Sequence, residues 1–182
     1  METRHHGFFN TLYRKIQYLD LKLIQHVQDH RTGFKTIFFK FISMMGDGIL
    51  WALLGLGIWY FTNQSDTWLG ICLLSFGLEL AFYKLIKQST SRRRPFQRYE
   101  SVENLVDPPD LYSFPSGHTA AATVAALNFT HAIPETMGIW FILVPLIGFS
   151  RLYLGVHYLS DILIGFLIGL TSYGLAYWFF NL

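Results

Sequence analysis

The sequence predicts an all-α fold: a polytopic transmembrane helical bundle of five to six membrane helices, led by an amphipathic helix in the membrane interface. Three observations carry this. Of the 182 residues, 52% are hydrophobic, 18% aromatic and only 14% charged, against about 25% charged in a soluble domain. Several apolar runs approach or reach the roughly 20 residues that span a bilayer. Turn residues separate those runs, as at Gly46-Asp47-Gly48 and Asn63-Gln64-Ser65-Asp66. The same composition excludes a disordered or low-complexity chain, and Cys72, the lone cysteine, excludes a disulfide framework. The formal charge of +2 conceals an asymmetry: thirteen of the fourteen Lys and Arg residues fall at or before Arg98, with Arg151 alone beyond it.

Residues 1–33 interleave Arg4, Arg14, Lys15, Lys22 and Arg31 with Phe8, Phe9, Leu12, Ile16, Leu19, Leu23 and Ile24. Positions 12, 16, 19, 23 and 27 fall at helical spacing and predict an amphipathic interfacial helix; a solvated helix packed on the bundle fits the same pattern. Charges interrupt the apolar region and no small-residue cleavage site follows, which argues against a secretory signal. Residues 34–182 then form one membrane domain. Phe34–Met45 is apolar but carries Lys35 and Lys40. Ile49–Phe61 is short, and reaches full span length only by continuing across the 46–48 break. Thr67–Ile86 is an uninterrupted span of 20 residues, about 30 Å at a helical rise of ~1.5 Å per residue. Residues 87–117 are a polar loop with five basic residues, four acidic ones and four prolines. His118–Thr130 is rich in Ala and Thr, small residues that let membrane helices approach closely, so it is expected inside the bundle. Met137–Leu154 and Tyr158–Phe180 complete the set.

Three polar clusters stand where predicted helices meet loops. In the first, Lys87 ends a span and Arg94-Pro95 follows seven residues on. Lys offers a point charge and Arg a planar fork matched to phosphate oxygens, although a basic juxtamembrane stretch attracted to anionic head groups reads the same way. The second, Pro115-Ser116-Gly117-His118, opens an apolar helix. Pro and Ser suit a helix start, a helix N-terminus offers N–H groups to an anion, and His118 on the first turn is placed to donate a proton. The third holds Ser150, Arg151, His157 and Asp161. A basic residue at the end of an apolar span is a functional candidate. His157 and Asp161, four apart, can meet on one helical face, where a carboxylate on one ring nitrogen leaves the other free as nucleophile or base.

Together these clusters resemble the signature of the type 2 phosphatidic acid phosphatase superfamily, the membrane lipid phosphate phosphatases. The spacings of Lys87…Arg94-Pro95, Pro115-Ser116-Gly117-His118 and Ser150-Arg151…His157…Asp161 are all intact and in order over residues 87–161. The resemblance implies a metal-independent phosphatase acting on a lipid phosphate or diphosphate: phosphatidic acid, phosphatidylglycerol phosphate, undecaprenyl diphosphate or a lipid A phosphate. It implies His157 as the nucleophile forming a phosphohistidine, Asp161 orienting its ring, and His118 as proton donor and then base. Lys87, Arg94, Arg151, Ser116 and the Gly117 N–H would hold the phosphoryl oxygens. No metal and no cofactor are implied. The partners are the lipid substrate and the bilayer, with no nucleic acid and no particular oligomeric state.

Other readings compete. His118, His157 and Asp161 could be metal ligands, but the surrounding cations would repel a divalent ion. Vanadium-dependent haloperoxidases have a similar pocket but are soluble. A non-catalytic lipid-phosphate binding or transport protein would have no use for a His157–Asp161 pair facing a second His. Glu79, within an apolar span, is expected to pair with a neighbouring helix, stay neutral, or support the cations from behind; His131 and Glu135 are expected to be uninvolved. The resemblance implies a multi-pass protein of a bacterial inner or plasma membrane with its site on the extracytoplasmic face. Charge counting puts the basic N-terminal region and the 87–117 loop in the cytoplasm unless residues 34–45 cross the bilayer.

Overall fold

In a computed structural model, residues 3–182 are described, with side chains from Asn10 onward; Arg4, Phe8 and Phe9 of the expected amphipathic face lie outside the described side chains. The elements are α1 (Thr3–Asp29), α2 (Gly33–Met44), α3 (Gly48–Phe61), α4 (Asp66–Thr90), the short α5 (Pro95–Arg98), α6 (Gly117–Ala132), α7 (Met137–Tyr153) and α8 (Leu159–Phe180), with a single 3-10 turn at Pro134–Thr136. The described residues contain helix and one isolated bridge, between Arg93 and Tyr112, and no sheet.

Helix α6 is the hub. It packs against α8, α4, α7 and α3, and its Ala- and Thr-rich sequence buries ten residues, from Thr119 to Phe129. The contact with α8 is close enough to exclude side chains: a Cβ on Gly165 would stand 2.4 Å from the Ser116 carbonyl oxygen, and one on Gly169 would stand 2.5 Å from Thr123 Cβ. Around the lower half of α6, Trp51, Trp68 and Phe129 close one apolar core with Trp140 packed against it. Trp68 Nε1 donates to Asn128 O at 3.0 Å and Gln64 Nε2 to Ala132 O at 3.2 Å, which ties the α3–α4 turn to the C-terminal end of α6.

Three helical segments, Asp66–Thr90, Pro134–Tyr153 and Leu159–Phe180, are long and apolar enough to cross a membrane. The pair α2–α3 is a fourth candidate only as a broken span, bent by 56°. The break, at residues 45–47, falls one residue ahead of the Gly46-Asp47-Gly48 turn expected from the sequence, and it turns α2 across the end of the bundle. The start of α2 touches the end of α7 through Thr36 Oγ1 and Tyr153 OH, 3.2 Å apart, and the end of α2 touches α7 again where Arg151 donates to Ser43 Oγ. Tyr153 and Arg151 are about 3 Å apart along a helix axis. Both ends of α2 therefore lie at the same end of the bundle, and residues 34–45 do not cross it.

Helix α1 lies against this same end. Ile24 and Val27 are buried with Val102, Tyr153, Leu154 and Tyr158, while Leu12, Ile16 and Leu19 remain exposed. The apolar stripe read from the sequence thus divides, its C-terminal part packing on protein and its N-terminal part facing outward.

Candidate active site

The three sequence clusters converge on one cavity of about 210 Å³, lined by Lys87, Arg94, His118, Arg151 and His157 together with Asp47, Glu79, Tyr83, Asp110 and Gly117. Each side chain arrives by an identifiable local device. Lys87 closes α4, and Arg94 precedes the proline that starts α5. Gly155 follows α7 at φ 77°, where a Cβ would also strike Glu103 O at 2.4 Å; this left-handed residue ends the helix and swings His157 into the cavity. Gly117 lets α6 begin against Tyr83, whose Cε2 would be 2.7 Å from a Cβ there.

His157 is almost fully buried, with Nδ1 3.4 Å from Asp161 Oδ2 and Nε2 3.4 Å from Arg94 Nη1. The Nδ1 contact is close without the alignment of a hydrogen bond. Burial first, and then the charges of Arg94, Arg151 and Lys87, hold the imidazole pKa well below its ordinary value, so the ring is neutral. Asp161 is itself fixed: Oδ2 accepts from the Tyr158 N–H at 2.9 Å, Oδ1 accepts from Arg92 Nη1 at 2.6 Å, and its carbonyl accepts from the Ser116 N–H at 3.0 Å. The last bond locks the Pro115–His118 segment to the start of α8. Ser116 Oγ pairs with Thr119 Oγ1 at 3.0 Å and does not cap its own helix.

Several residues at the site were not anticipated. Asp110 takes the place of an anion among the cations: its Oδ2 accepts from Lys87 Nζ at 2.7 Å and from Tyr83 OH at 2.5 Å, and its Oδ1 from Arg94 Nη2 at 2.5 Å. Burial alone would raise its pKa; the hydrogen bonds from Lys87 and Tyr83, with the charges of Lys87 and Arg94, bring it down to about 2. Asp47, from the α2–α3 break, has Oδ1 3.1 Å from His118 Nε2. Gly46 beside it is required, since a Cβ would come within 2.8 Å of the His118 ring. Behind Asp161, Arg92 Nη2 bonds Asp20 Oδ2 at 2.8 Å, and Asp20, only 3% exposed, also accepts from the Ser160 N–H at 3.0 Å and Oγ at 2.5 Å. The N-terminal helix is thereby joined to the His157–Asp161 pair. The signals were in the sequence: Asp20 is an acid between Leu19 and Leu21, and Arg92 belongs to an Arg triplet of which only the third member fits the motif.

Glu79 is buried and lines the cavity directly, not a neighbouring helix pair. His131 lies at the opposite end of α6, its Nδ1 3.3 Å from Tyr173 OH.

A helical membrane protein with paired imidazoles and clustered cations in one cup defines a class, and the comparison with known families gives it a name. The model of the PAP2 superfamily matches residues 68–182, more than half of the chain, and the protein belongs to that superfamily. Among curated relatives, it is 39% identical over 87 residues to the decaprenylphosphoryl-5-phosphoribose phosphatase of Mycobacterium tuberculosis, covering 48% of this chain and 47% of that one. It is 32% identical over 136 residues to phosphatidylglycerophosphatase B of Bacillus subtilis, covering 68% and 63% respectively. The matched stretches span about half to three-fifths of these relatives' length. Of solved structures, LpxE of Aquifex aeolicus superposes with a TM-score of 0.77 at 28% identity, over 87% of this chain and 94% of that one. The transmembrane PAP2-type phosphatidylglycerolphosphate phosphatase of Bacillus subtilis gives 0.75 at 27% identity, over 96% and 92%.

Proposed function

We propose that the protein is a lipid phosphate phosphatase working through a phosphohistidine, without a metal. The observation that carries this is the shared cavity: His157, backed by Asp161, and His118 line one cup with Lys87, Arg94 and Arg151. Neutral His157 attacks phosphorus through Nε2, forming the N–P bond as the P–O bond to the lipid breaks. His118 gives a proton to the departing oxygen, releasing the lipid alcohol from a monophosphate or the lipid monophosphate from a diphosphate. Water, deprotonated by His118, then attacks phosphorus; the N–P bond breaks and inorganic phosphate leaves. Lys87, Arg94, Arg151 and the Gly117 N–H stabilise the equatorial oxygens; Ser116, fully buried and outside the cavity lining, would join them only by turning its Oγ away from Thr119. Positioned cations thus supply the charge stabilisation that a divalent ion gives in other phosphoryl-transfer sites.

The substrate is a lipid phosphate or diphosphate with a small head, since the cup is about 210 Å³ and the loop over it is short. Its chains stay in the bilayer, with residues 34–182 acting as one membrane domain in which α6 is a buried helix. Relatives named for polyprenyl-linked and glycerolipid phosphates support both tail classes. Phosphate release from phosphatidic acid, phosphatidylglycerol phosphate and undecaprenyl diphosphate in EDTA, wild type beside His157→Ala, is the test. Turnover in chelator that disappears in the variant is expected; equal turnover in the variant would overturn the mechanism.

A further inference from the structure

Helix α4 presents three polar side chains to the cup, Glu79, Tyr83 and Lys87, spaced four residues apart and so aligned on one helical face. Two of them are engaged with protein. Lys87 Nζ donates to Asp110 Oδ2 at 2.7 Å and to Tyr83 OH at 2.8 Å, and Tyr83 OH donates to Asp110 in turn. Glu79 is the exception. It is only 6% exposed and lines the cavity, yet among the described residues its carboxyl makes no hydrogen bond and no ion pair. The cations of the cup are turned elsewhere: Arg94 to Asp110 and the Val156 carbonyl, Arg151 to Ser43 Oγ. A buried carboxyl with no protein partner is costly inside an apolar span. One that faces the reaction cavity is matched to a partner on the substrate.

The depth of Glu79 decides which part of the substrate that is. Lys87 stands at the end of the span, and Glu79 lies eight residues, about 12 Å, further in. The start of α6 marks the level between them, since a Cβ on Gly117 would be 2.7 Å from Tyr83 Cε2. Glu79 is thus about one turn deeper than the Gly117–His118 step, where Ala121 of α6 and Leu80 also line the cup. Leu80 is exposed at the bundle surface as well, so the cup opens toward the bilayer at this depth. In an in-line displacement the leaving oxygen stands opposite His157, at His118. The first carbons of the leaving group then run past Glu79 on their way to the chains.

We propose that Glu79 is a specificity-determining residue that accepts a hydrogen bond from a hydroxyl vicinal to the phosphate ester, so that the substrate class is a lipid phosphate built on a polyol or sugar. This rests on the phosphatase reading and narrows it. Phosphatidylglycerol phosphate carries such a hydroxyl, on the glycerol carbon beside its terminal ester. Phosphatidic acid does not, because its neighbouring oxygens are acylated. A prenyl diphosphate sets phosphate oxygens at this place, acceptors against an acceptor. A site built to bond a substrate hydroxyl rejects the analogue lacking it, because the buried group is then left unpaired.

The test compares phosphatidylglycerol phosphate with its deoxy analogue, phosphatidyl-propane-1,3-diol phosphate, which differs by that one hydroxyl. Phosphate release by the full-length protein in mixed micelles gives kcat/KM for each lipid, in wild type, Glu79→Leu and Glu79→Gln. Wild type is expected to favour the hydroxylated lipid by about 10- to 100-fold, the range of one hydrogen bond to a charged group. Glu79→Leu should bring that ratio close to one, and Glu79→Gln, which keeps a carbonyl acceptor, should fall between. Thermal unfolding in detergent separates this from a structural role: with no protein partner to lose, Glu79→Leu should melt no lower than wild type. Equal turnover of the two lipids by wild type, or an unchanged ratio in Glu79→Leu, would overturn the proposal and leave the phosphatase reading intact. A lowered melting temperature with equal losses on both lipids would overturn it too, showing that Glu79 holds the fold. Failure of the phosphatase reading looks different: no phosphate from either lipid or from phosphatidic acid, in wild type and His157→Ala alike, which removes both.

Discussion

Gly165→Ala is a change of one methyl group that the packing cannot absorb. The added Cβ would stand 2.4 Å from the Ser116 carbonyl oxygen and 3.4 Å from Thr119 Cβ. Ordinary contact begins at 3.4 Å, so α8 and the start of α6 must part by about 1 Å. The neighbour is backbone at the helix start, with no rotamer to turn away. Overpacking of this kind costs about 1–3 kcal/mol. The larger effect falls on catalysis, because Ser116 N–H is bonded to the Asp161 carbonyl on the same helix. Prying these elements apart separates the phosphoryl cradle from the His157–Asp161 pair, and a displacement of about 1 Å can cost on the order of 100-fold in rate. The assay is kcat on a lipid phosphate alongside thermal unfolding in detergent. Gly77→Ala is the control: nothing lies within 4 Å of its Cβ, and it should be neutral or gain up to about 1 kcal/mol from helix propensity. A Gly165→Ala enzyme with wild-type kcat would refute the claim that this helix contact sets the site geometry.

Three further outcomes are expected. Arg151→Lys should lose most activity while thermal stability changes little, because a point charge cannot replace the bidentate fork on phosphate oxygens; near-normal turnover would remove Arg151 from the phosphoryl clamp. Asp47→Asn should depress kcat on an alkyl phosphate, whose leaving oxygen needs the His118 proton, far more than on p-nitrophenyl phosphate, whose leaving group needs none; an equal loss on both would mean that Asp47 only holds the fold. The pKa of His157 is lowered by burial and by its cationic neighbours, so the folded state binds fewer protons than the unfolded state, and stability falls as pH drops below the ordinary histidine value of about 6.5. Melting temperature against pH should show that slope in the wild type and a shallower one in His157→Gln, while activity should persist below pH 6.5; an identical slope in both would show His157 to be protonated when folded.

What could be read from the sequence was the chemistry that short spacings encode. Lys87, Arg94, His118, Arg151 and His157 were placed together because a regular motif fixes them at helix ends, and helix ends cluster when helices of similar length form a bundle. The apolar spans of α4, α7 and α8 were legible from run length alone. The expected count of five to six membrane helices exceeds the three that qualify by length and composition, or four with the bent pair. Helices α3 and α6, of 14 and 16 residues, fall short of that criterion. What periodicity could not show was the direction of α2. A 56° bend at Gly46-Asp47-Gly48 decides whether residues 34–45 cross or lie across the end of the bundle, and a glycine break marks where a chain turns without saying by how much. Asp110, Asp47 and Asp20 stayed hidden for a related reason: their nearest partners are 16, 71 and 72 positions away, beyond any local pattern.

The carboxylate of Asp110 has a bearing on how the cup empties. Tethered beside Lys87 and Arg94, it is a counter-ion that never diffuses away, and with a pKa of about 2 it stays charged in any workable buffer. Under the proposed mechanism an arriving phosphoryl group would trade places with it and so bind by exchange, with less net gain than three bare cations would give. The same trade runs backward after hydrolysis, when the tethered group competes with free phosphate for its old partners and shortens the product's stay. On that reading tight capture is given up for prompt turnover, and the cation cluster is spared the self-repulsion of standing unneutralised between visits.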